Sequence, residues 1–237
     1  CVLLSEEERK KTLETVIKAA DGAYVVAHVG AVSVKNTMEL ARHAVKAGAN
    51  AIASVPPFYF NFPFDGILDY YREMASLKTD VMVYSIPSAT VKLSVKQYCR
   101  LLSTEGVKSI KYTDTDYFTM QQIIAATGAE VYSGKDECFL SALAAGASGA
   151  IGTTFNFMLD KYLEIYSLFR AGENKRALEV QSAANAATAV TLKNLLPAVK
   201  YLIGLRYGID CGGARKPFLP LDAELKTKLD IIAKTLF

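Results

Sequence analysis

The sequence predicts an α/β fold on a parallel sheet, and three observations point from there to a barrel. Short runs rich in Val, Ile and Ala alternate with segments of helical period along most of the 237 residues, the pattern of repeated βαβ units. The apolar runs carry few polar residues on either face, as expected where helices cover a parallel sheet or the sheet curls on itself. One unit recurs about every 20–30 residues, and polar residues capable of chemistry follow several different runs, which a barrel gathers at one rim. A doubly wound sheet satisfies the first two observations equally well.

The elements follow in order. Ser5 with Glu8 three residues on forms a capping box that opens the first helix. Strands are predicted at residues 23–29, 50–55, 81–86, 108–112, 130–133 and 148–152, each bounded by Gly, Pro, Asp or Asn. Helices at 34–47, 65–77, 95–102, 118–126 and 137–145 connect them. Beyond the sixth strand only helices follow, at 159–171, 175–194, 197–207 and 223–236. The first of these closes the repeat, and the other three form a C-terminal helical appendage. The expected organisation is a partial (β/α)8 (TIM) barrel over residues 1–172, carrying strands three to eight, with the appendage over 173–237 in the same domain. Six strands are two short of eight, and a chain with three extra helices is short of barrel length by roughly 50–60 residues. The chain is therefore expected to lack the first two βα units and to open in mid-fold.

Charge and composition exclude several functions. The 27 basic and 24 acidic side chains are mixed along the chain, and the net charge of +3 comes with no basic block, so no nucleic-acid footprint is present. Partners are expected to be small molecules or further copies of the chain. Cys1, Cys99, Cys138 and Cys211 lack CxxC or His-rich spacing, which argues against a zinc site or a disulfide framework and for a reducing, cytoplasmic setting. No apolar run reaches the ~18 residues of a membrane span, and no leader pattern opens the chain. No His, Cys, Asp or Glu cluster has metal spacing.

Chemistry-bearing residues gather after the strands. In Val107-Lys108-Ser109-Ile110-Lys111-Tyr112-Thr113-Asp114 the two lysines are three apart, so a regular strand points them to opposite faces. Lys111 sits at the C-terminal end, where barrels build active sites, and is the better nucleophile; a solvated strand-end lysine is the alternative. Tyr84 ends Val81-Met82-Val83-Tyr84-Ser85-Ile86-Pro87 and needs a polar partner for its hydroxyl, catalytic or structural. In Ser133-Gly134-Lys135-Asp136-Glu137, Asp136 reads as an N-cap and Glu137 as a first-turn acid, while two carboxylates at a barrel mouth could also hold sugar hydroxyls. Thr153-Thr154 follows the last strand, where many barrels bind phosphate. His28 and His43 receive no role, and Gly146 to Gly152 fall between a helix and a strand, so they form no dinucleotide fingerprint.

Taken in order, Ala27-His28-Val29-Gly30, Pro57-Phe58-Tyr59, Val83-Tyr84-Ser85-Ile86-Pro87, Ile110-Lys111, Gly134-Lys135-Asp136-Glu137, Ile151-Gly152-Thr153-Thr154-Phe155-Asn156 and Arg215-Lys216-Pro217-Phe218 resemble the dihydrodipicolinate synthase and N-acetylneuraminate lyase family of aldolases. The resemblance covers nearly the whole chain and implies an eight-stranded α/β barrel with three C-terminal helices. It places the Schiff-base lysine on Lys111, the catalytic tyrosine on Tyr84, and on Tyr59 the aromatic residue inserted into a neighbouring subunit of a tetramer. The lyase branch carries Gly-x-Asp-Glu toward the sugar chain, matched by Gly134, Asp136 and Glu137, with Lys135 between. The synthase branch carries an arginine after Tyr-Asn-x-Pro; here Ser88-Ala89-Thr90 stand instead. Ser85 replaces the usual asparagine, and the loop through Thr90-Val91 lacks the family's glycine. The family's Gly-Ser/Thr-Thr-Gly-Glu carboxylate-binding motif would end just before Cys1.

What the resemblance implies is reversible cleavage of N-acetylneuraminate to pyruvate and N-acetylmannosamine without metal or organic cofactor. Lys111, its pKa lowered by burial near the barrel axis, attacks the ketone, and Tyr84 takes the proton from the hydroxyl beyond the scissile bond. Thr113 orients that hydroxyl, while Asp136, Glu137 and Thr153 contact the rest of the sugar. Another 2-keto-3-deoxy sugar acid aldolase or a dihydrodipicolinate synthase is the alternative within the family. A non-catalytic barrel or an inactive fragment is the alternative outside it.

Overall fold

A computed structural model describes residues 1–237. Ser5 caps α1 (Glu6–Ala19): its Oγ accepts the Glu8 N–H at 3.2 Å, and the Glu8 carboxylate accepts the Ser5 N–H at 2.8 Å. The strands are β1 (Val26–His28), β2 (Ala51–Ser54), β3 (Asp80–Ser85), β4 (Val107–Tyr112), β5 (Glu130–Ser133) and β6 (Gly149–Ala150), hydrogen-bonded in that order in one sheet. The pairings through β4 are parallel. Between them run α2 (Val34–Ala47), α3 (Phe64–Ala75), α4 (Val95–Leu102), α5 (Tyr117–Thr127) and α6 (Phe139–Ala144), followed by α7 (Phe155–Arg170), α8 (Asn174–Thr191), α9 (Leu195–Tyr207) and α10 (Ala223–Leu236).

Each strand and helix expected from the sequence is present, with ends as expected for α2, α4, α10 and β5 and shifted for the others. The helix expected over 137–145 opens instead as a single 3-10 turn, Asp136–Cys138, before α6. The helix expected from residue 159 begins earlier, at Phe155, because Met158 leaves the helical region (φ −142°, ψ 40°) and breaks the 3.6-residue period that periodicity relies on.

The chain divides into two compact units, Cys1–Tyr132 and Ser133–Phe237. In the first, one sheet face is sealed by helices. Ser54 and Ser85 point to that face, where Ser54 Oγ lies 2.6 Å from the Tyr70 hydroxyl of α3 and Ser85 Oγ lies 2.6 Å from the Tyr98 hydroxyl of α4. The apolar stripes of α2 (Met38, Leu40, Ala41, Ala44) and α3 (Ile67, Leu68, Tyr71, Met74) are buried at the three- and four-residue spacing of a helix face.

In the second unit, a single hydrophobic core joins Phe139 and Leu143 of α6, Phe157, Tyr162 and Ile165 of α7, Ala184 and Ala187 of α8, Leu202 of α9, and Leu225 and Leu229 of α10. The C-terminal helices therefore share their core with α6 and α7. Leu229 is fully buried, and Leu229→Ala is expected to destabilise the protein by about 2–5 kcal/mol. Denaturant unfolding should show the loss in the transition that α6 and α7 report, and a transition confined to α10 would contradict a shared core.

Candidate active site

The first unit's chemistry is placed by a single irregularity in strand register. Val81 pairs with Val107 but Met82 pairs with Ser109, so β4 holds one more residue than β3 at that point, and Lys108 is the extra one. Downstream, Val83 pairs with Ile110, Tyr84 with Lys111 and Ser85 with Tyr112. Paired residues share a sheet face and neighbours alternate. Ser85 and Tyr112 accordingly lie on the helix-covered side, and Tyr84 and Lys111 on the other. Lys108 is exposed. The two lysines are therefore not separated by regular alternation, as their spacing of three predicts, because the bulge at Lys108 interrupts it.

On the face away from the helices, Lys111 Nζ stands 4.3 Å from the centroid of the Tyr84 ring. The His28 ring meets Tyr84 edge-on, with centroids 5.7 Å apart and planes at 89°. Register carries His28 to Ala53 and Ala53 to Met82, two residues before Tyr84 and hence on the same face. Gly30 is required here, because a Cβ would sit 2.6 Å from Ser54 Oγ and 3.0 Å from His28 Cε1. Arg9 closes the end of β1, donating to the carbonyls of His28 (2.8 Å) and Gly30 (2.9 Å). The His28 Nδ1 lies 3.3 Å from Cys1 Sγ. His28 Nε2 and Thr113 Oγ1 are buried without a hydrogen-bond partner, and no other side-chain nitrogen or oxygen in the chain is. Both flank the Lys111–Tyr84 pair, and buried polar atoms without partners are rare enough to call for an explanation.

The second unit holds a separate polar network. Asp136 is only 7% exposed, and its carboxylate accepts from Thr154 N (2.8 Å) and Thr154 Oγ1 (2.7 Å). The Thr154 hydroxyl in turn lies 2.9 Å from the Tyr162 hydroxyl. Asp136 is thus not an N-cap, since it is the first residue of the 3-10 turn and Lys135 precedes it without a side-chain cap. The carboxylate comes so close to the backbone after β6 that a Cβ on Gly152 would lie 2.2 Å from Asp136 Oδ1. Lys135 and Glu137 are half-buried and 3.7 Å apart as an ion pair. Thr153 lends its carbonyl to Asn156 Nδ2 at 2.8 Å, and its neighbour Thr154 supplies the buried hydroxyl. Tyr59 is 86% exposed, with φ +82° and an edge-on contact to Phe60.

The sequence profile of the dihydrodipicolinate synthetase family matches residues 1–236. The chain belongs to that family. N-acetylneuraminate lyase of Rhizobium meliloti is 35% identical to it over 240 residues, covering 99% of this chain and 80% of that protein. Among solved structures, the Ruminococcus gnavus sialic acid aldolase, studied as a catalytic lysine mutant, matches with a TM-score of 0.95 at 30% identity, covering 100% of this chain and 80% of that one. CdNal from Clostridium difficile, in complex with mannosamine, matches with a TM-score of 0.93 at 30% identity, covering 99% of this chain and 82% of that one. The family found is the one that the motifs point to.

Among this family member's polar residues, the sequence missed Gln181 and Asn185, gave His28 no role, and named Thr154 only together with Thr153. Counting alternation along β1 and β2 would have placed His28 on the face of Tyr84. A polar residue within the buried small-residue stripe Ala177, Gln181, Ala184, Thr188 of α8 was the available signal for Gln181. Thr154 carries no sequence signal that separates it from Thr153.

Burial, with Arg9 and Lys111 nearby, lowers the His28 pKa to about 4, so the folded protein keeps this ring neutral where the unfolded chain protonates it near 6.5. The unfolded state then binds more protons between those values, and stability falls as pH drops from 6.5 towards 4. Relative to His28→Gln, the wild type is expected to lose roughly 2–3 kcal/mol more over that window. Equal pH profiles in urea melts would refute the assignment.

Proposed function

We propose that the protein is a class I aldolase, a carbon–carbon lyase that reversibly cleaves N-acetylneuraminate to pyruvate and N-acetylmannosamine through a Schiff base on Lys111. The observation that carries the reading is the adjacency of Lys111 Nζ and the Tyr84 ring at 4.3 Å on paired positions of β3 and β4. The relatives named lyase and sialic acid aldolase, one of them with a catalytic lysine, support the same reaction.

The amine of Lys111 attacks the substrate's keto carbon, and the ketone oxygen departs as water to leave an iminium. Tyr84 takes the proton of the hydroxyl on the far carbon of the scissile bond. That oxygen's electrons form the aldehyde of the released sugar, and the electrons of the broken carbon–carbon bond pass to the iminium as an enamine. Protonation of the enamine carbon and addition of water then free pyruvate and the lysine. The unpartnered Thr113 hydroxyl supports a role in orienting the reacting hydroxyl, since substrate would supply its missing hydrogen bond. Gly134, Lys135, Asp136, Glu137 and Thr153 are assigned to the sugar chain. Of these, Lys135 and Glu137 offer half-buried charges, while Asp136 acts through Thr154. The reaction needs no metal or organic cofactor.

Exposed Tyr59 with Phe60 and Phe62 fits an aromatic element for a neighbouring subunit, in a homotetramer. The strand order leaves β1 and β6 as edges, consistent with strands three to eight of an eight-stranded barrel to which α8–α10 are appended. All four cysteines are free thiols, as suits a cytoplasmic enzyme. No helix is long and apolar enough to cross a membrane.

Pyruvate with borohydride is expected to add one pyruvate-derived mass per chain on the peptide holding Lys111, and Lys111→Ala should abolish both adduct and turnover. Mapping of the adduct to Lys108 or Lys135 would overturn the assignment. Tyr84→Phe should retain trapping but slow cleavage by roughly 10²–10⁴-fold; unchanged turnover would make Tyr84 a packing residue.

A further inference from the structure

The segment bearing Lys135, Asp136 and Glu137 is too short to hold its own shape. Lys135 is extended (φ −111°, ψ 96°), and the 3-10 turn that follows has three residues, closed by the Phe139 N–H bonding to the Asp136 carbonyl. This bond and that of the Cys138 N–H to the Lys135 carbonyl, at 3.1 Å, do not offset the ordering of the residues they span. Outside contacts must therefore set where the side chains of Lys135 and Glu137 point. Thr154 grips the Asp136 side chain. The backbone is gripped by α8.

Gln181 is 4% exposed and uses its whole amide. Its Oε1 accepts the Leu140 N–H at 3.0 Å, and its Nε2 donates to the Asp136 carbonyl at 3.2 Å and to Asn185 Oδ1 at 2.8 Å. Asn185, oriented by that last bond, donates through Nδ2 to the Glu137 carbonyl at 2.9 Å. The two side chains lie four apart on one face of α8. They hold two consecutive carbonyls of the turn and the second amide beyond it, that of Leu140. The Gln181 amide, buried on the α8 face of Ala177 and Ala184, is costly unless bonded, and its bonds run to the turn, to the start of α6 and to the half-buried Asn185.

We propose that Gln181 and Asn185 are positioning residues for substrate recognition: by fixing the Lys135–Glu137 turn, α8 sets how the polyhydroxylated end of the substrate is bound. The inference rests on the aldolase reading above. It gives the C-terminal helices a part in specificity, exercised through two backbone carbonyls without contact between α8 and substrate.

Asn185→Ala removes the bond to Glu137 and leaves the more deeply buried Gln181 in place, so it is the principal variant, with Gln181→Met as its isosteric companion. Active sites are first counted by pyruvate–borohydride trapping, which requires Lys111 and not the turn. Per trapped site, KM for N-acetylneuraminate should rise roughly three- to tenfold, the worth of one net hydrogen bond, with kcat within about twofold. The preference for N-acetylneuraminate over a shorter 2-keto-3-deoxy sugar acid should shrink by a similar factor. A purely structural role would lower the number of trapped sites and leave KM per site unchanged. That result in Asn185→Ala would overturn the proposal even if Gln181→Met fails to fold. Absence of trapping in the wild type would instead overturn the aldolase reading.

Discussion

The one-residue offset between β3 and β4 is the constraint on which the first unit's chemistry depends. With regular pairing from Val81–Val107 onward, Tyr84 would stand beside Ile110, and Lys111 would face the helix-covered side with Ser85. A lysine there would be desolvated against the buried Tyr98 ring of α4. The extra residue, Lys108, moves every later residue of β4 by one place and so exchanges its faces. Isoleucine then packs under helices, and lysine stands over tyrosine.

Thirteen tyrosines compete for the role given to Tyr84, and their surroundings separate them. Tyr70, Tyr98 and Tyr162 are buried with serine or threonine hydroxyls as partners. Burial raises the pKa of each, that of Tyr162 up to about 12, so these phenols stay protonated and act as hydrogen-bonded packing. Tyr71 donates to the Ser54 carbonyl from a fully buried position. Tyr84 alone of the thirteen lies beneath a lysine Nζ. The replacement of the family's usual asparagine by Ser85 belongs to the packing side of this division, because the Ser85 hydroxyl is spent on Tyr98 on the helix-covered face.

In the second unit the C-terminal helices are packed into one core with the barrel helices before them. Its helices share the core of α6 and α7, so removing them would expose the apolar faces of both. Through Gln181 and Asn185 the same helices reach the backbone of the Lys135–Glu137 turn. Asp136, with Thr154 and Tyr162, anchors that turn from the other direction, and Gly152 leaves room for the approach of its carboxylate.

The sequence by itself determined the alternation of strands and helices, the capping box at Ser5, the placement of Lys111 and Tyr84 at strand ends, and the family. These are properties of local period, of short-range side-chain to backbone bonding, and of residue order, all of which are written along the chain. Only tertiary structure decided that Lys108 is bulged, that His28 faces Tyr84, that Asp136 is buried on Thr154, and that Gln181 and Asn185 hold the turn. Each of these joins residues distant in sequence or depends on strand register, and a single inserted residue reverses register without leaving a local trace. The Met158 break likewise ended a helical period that the flanking sequence continues. Periodicity reports which face of an element is apolar; which polar atoms find one another is settled by packing, where an unpaired buried group costs more than most local preferences supply.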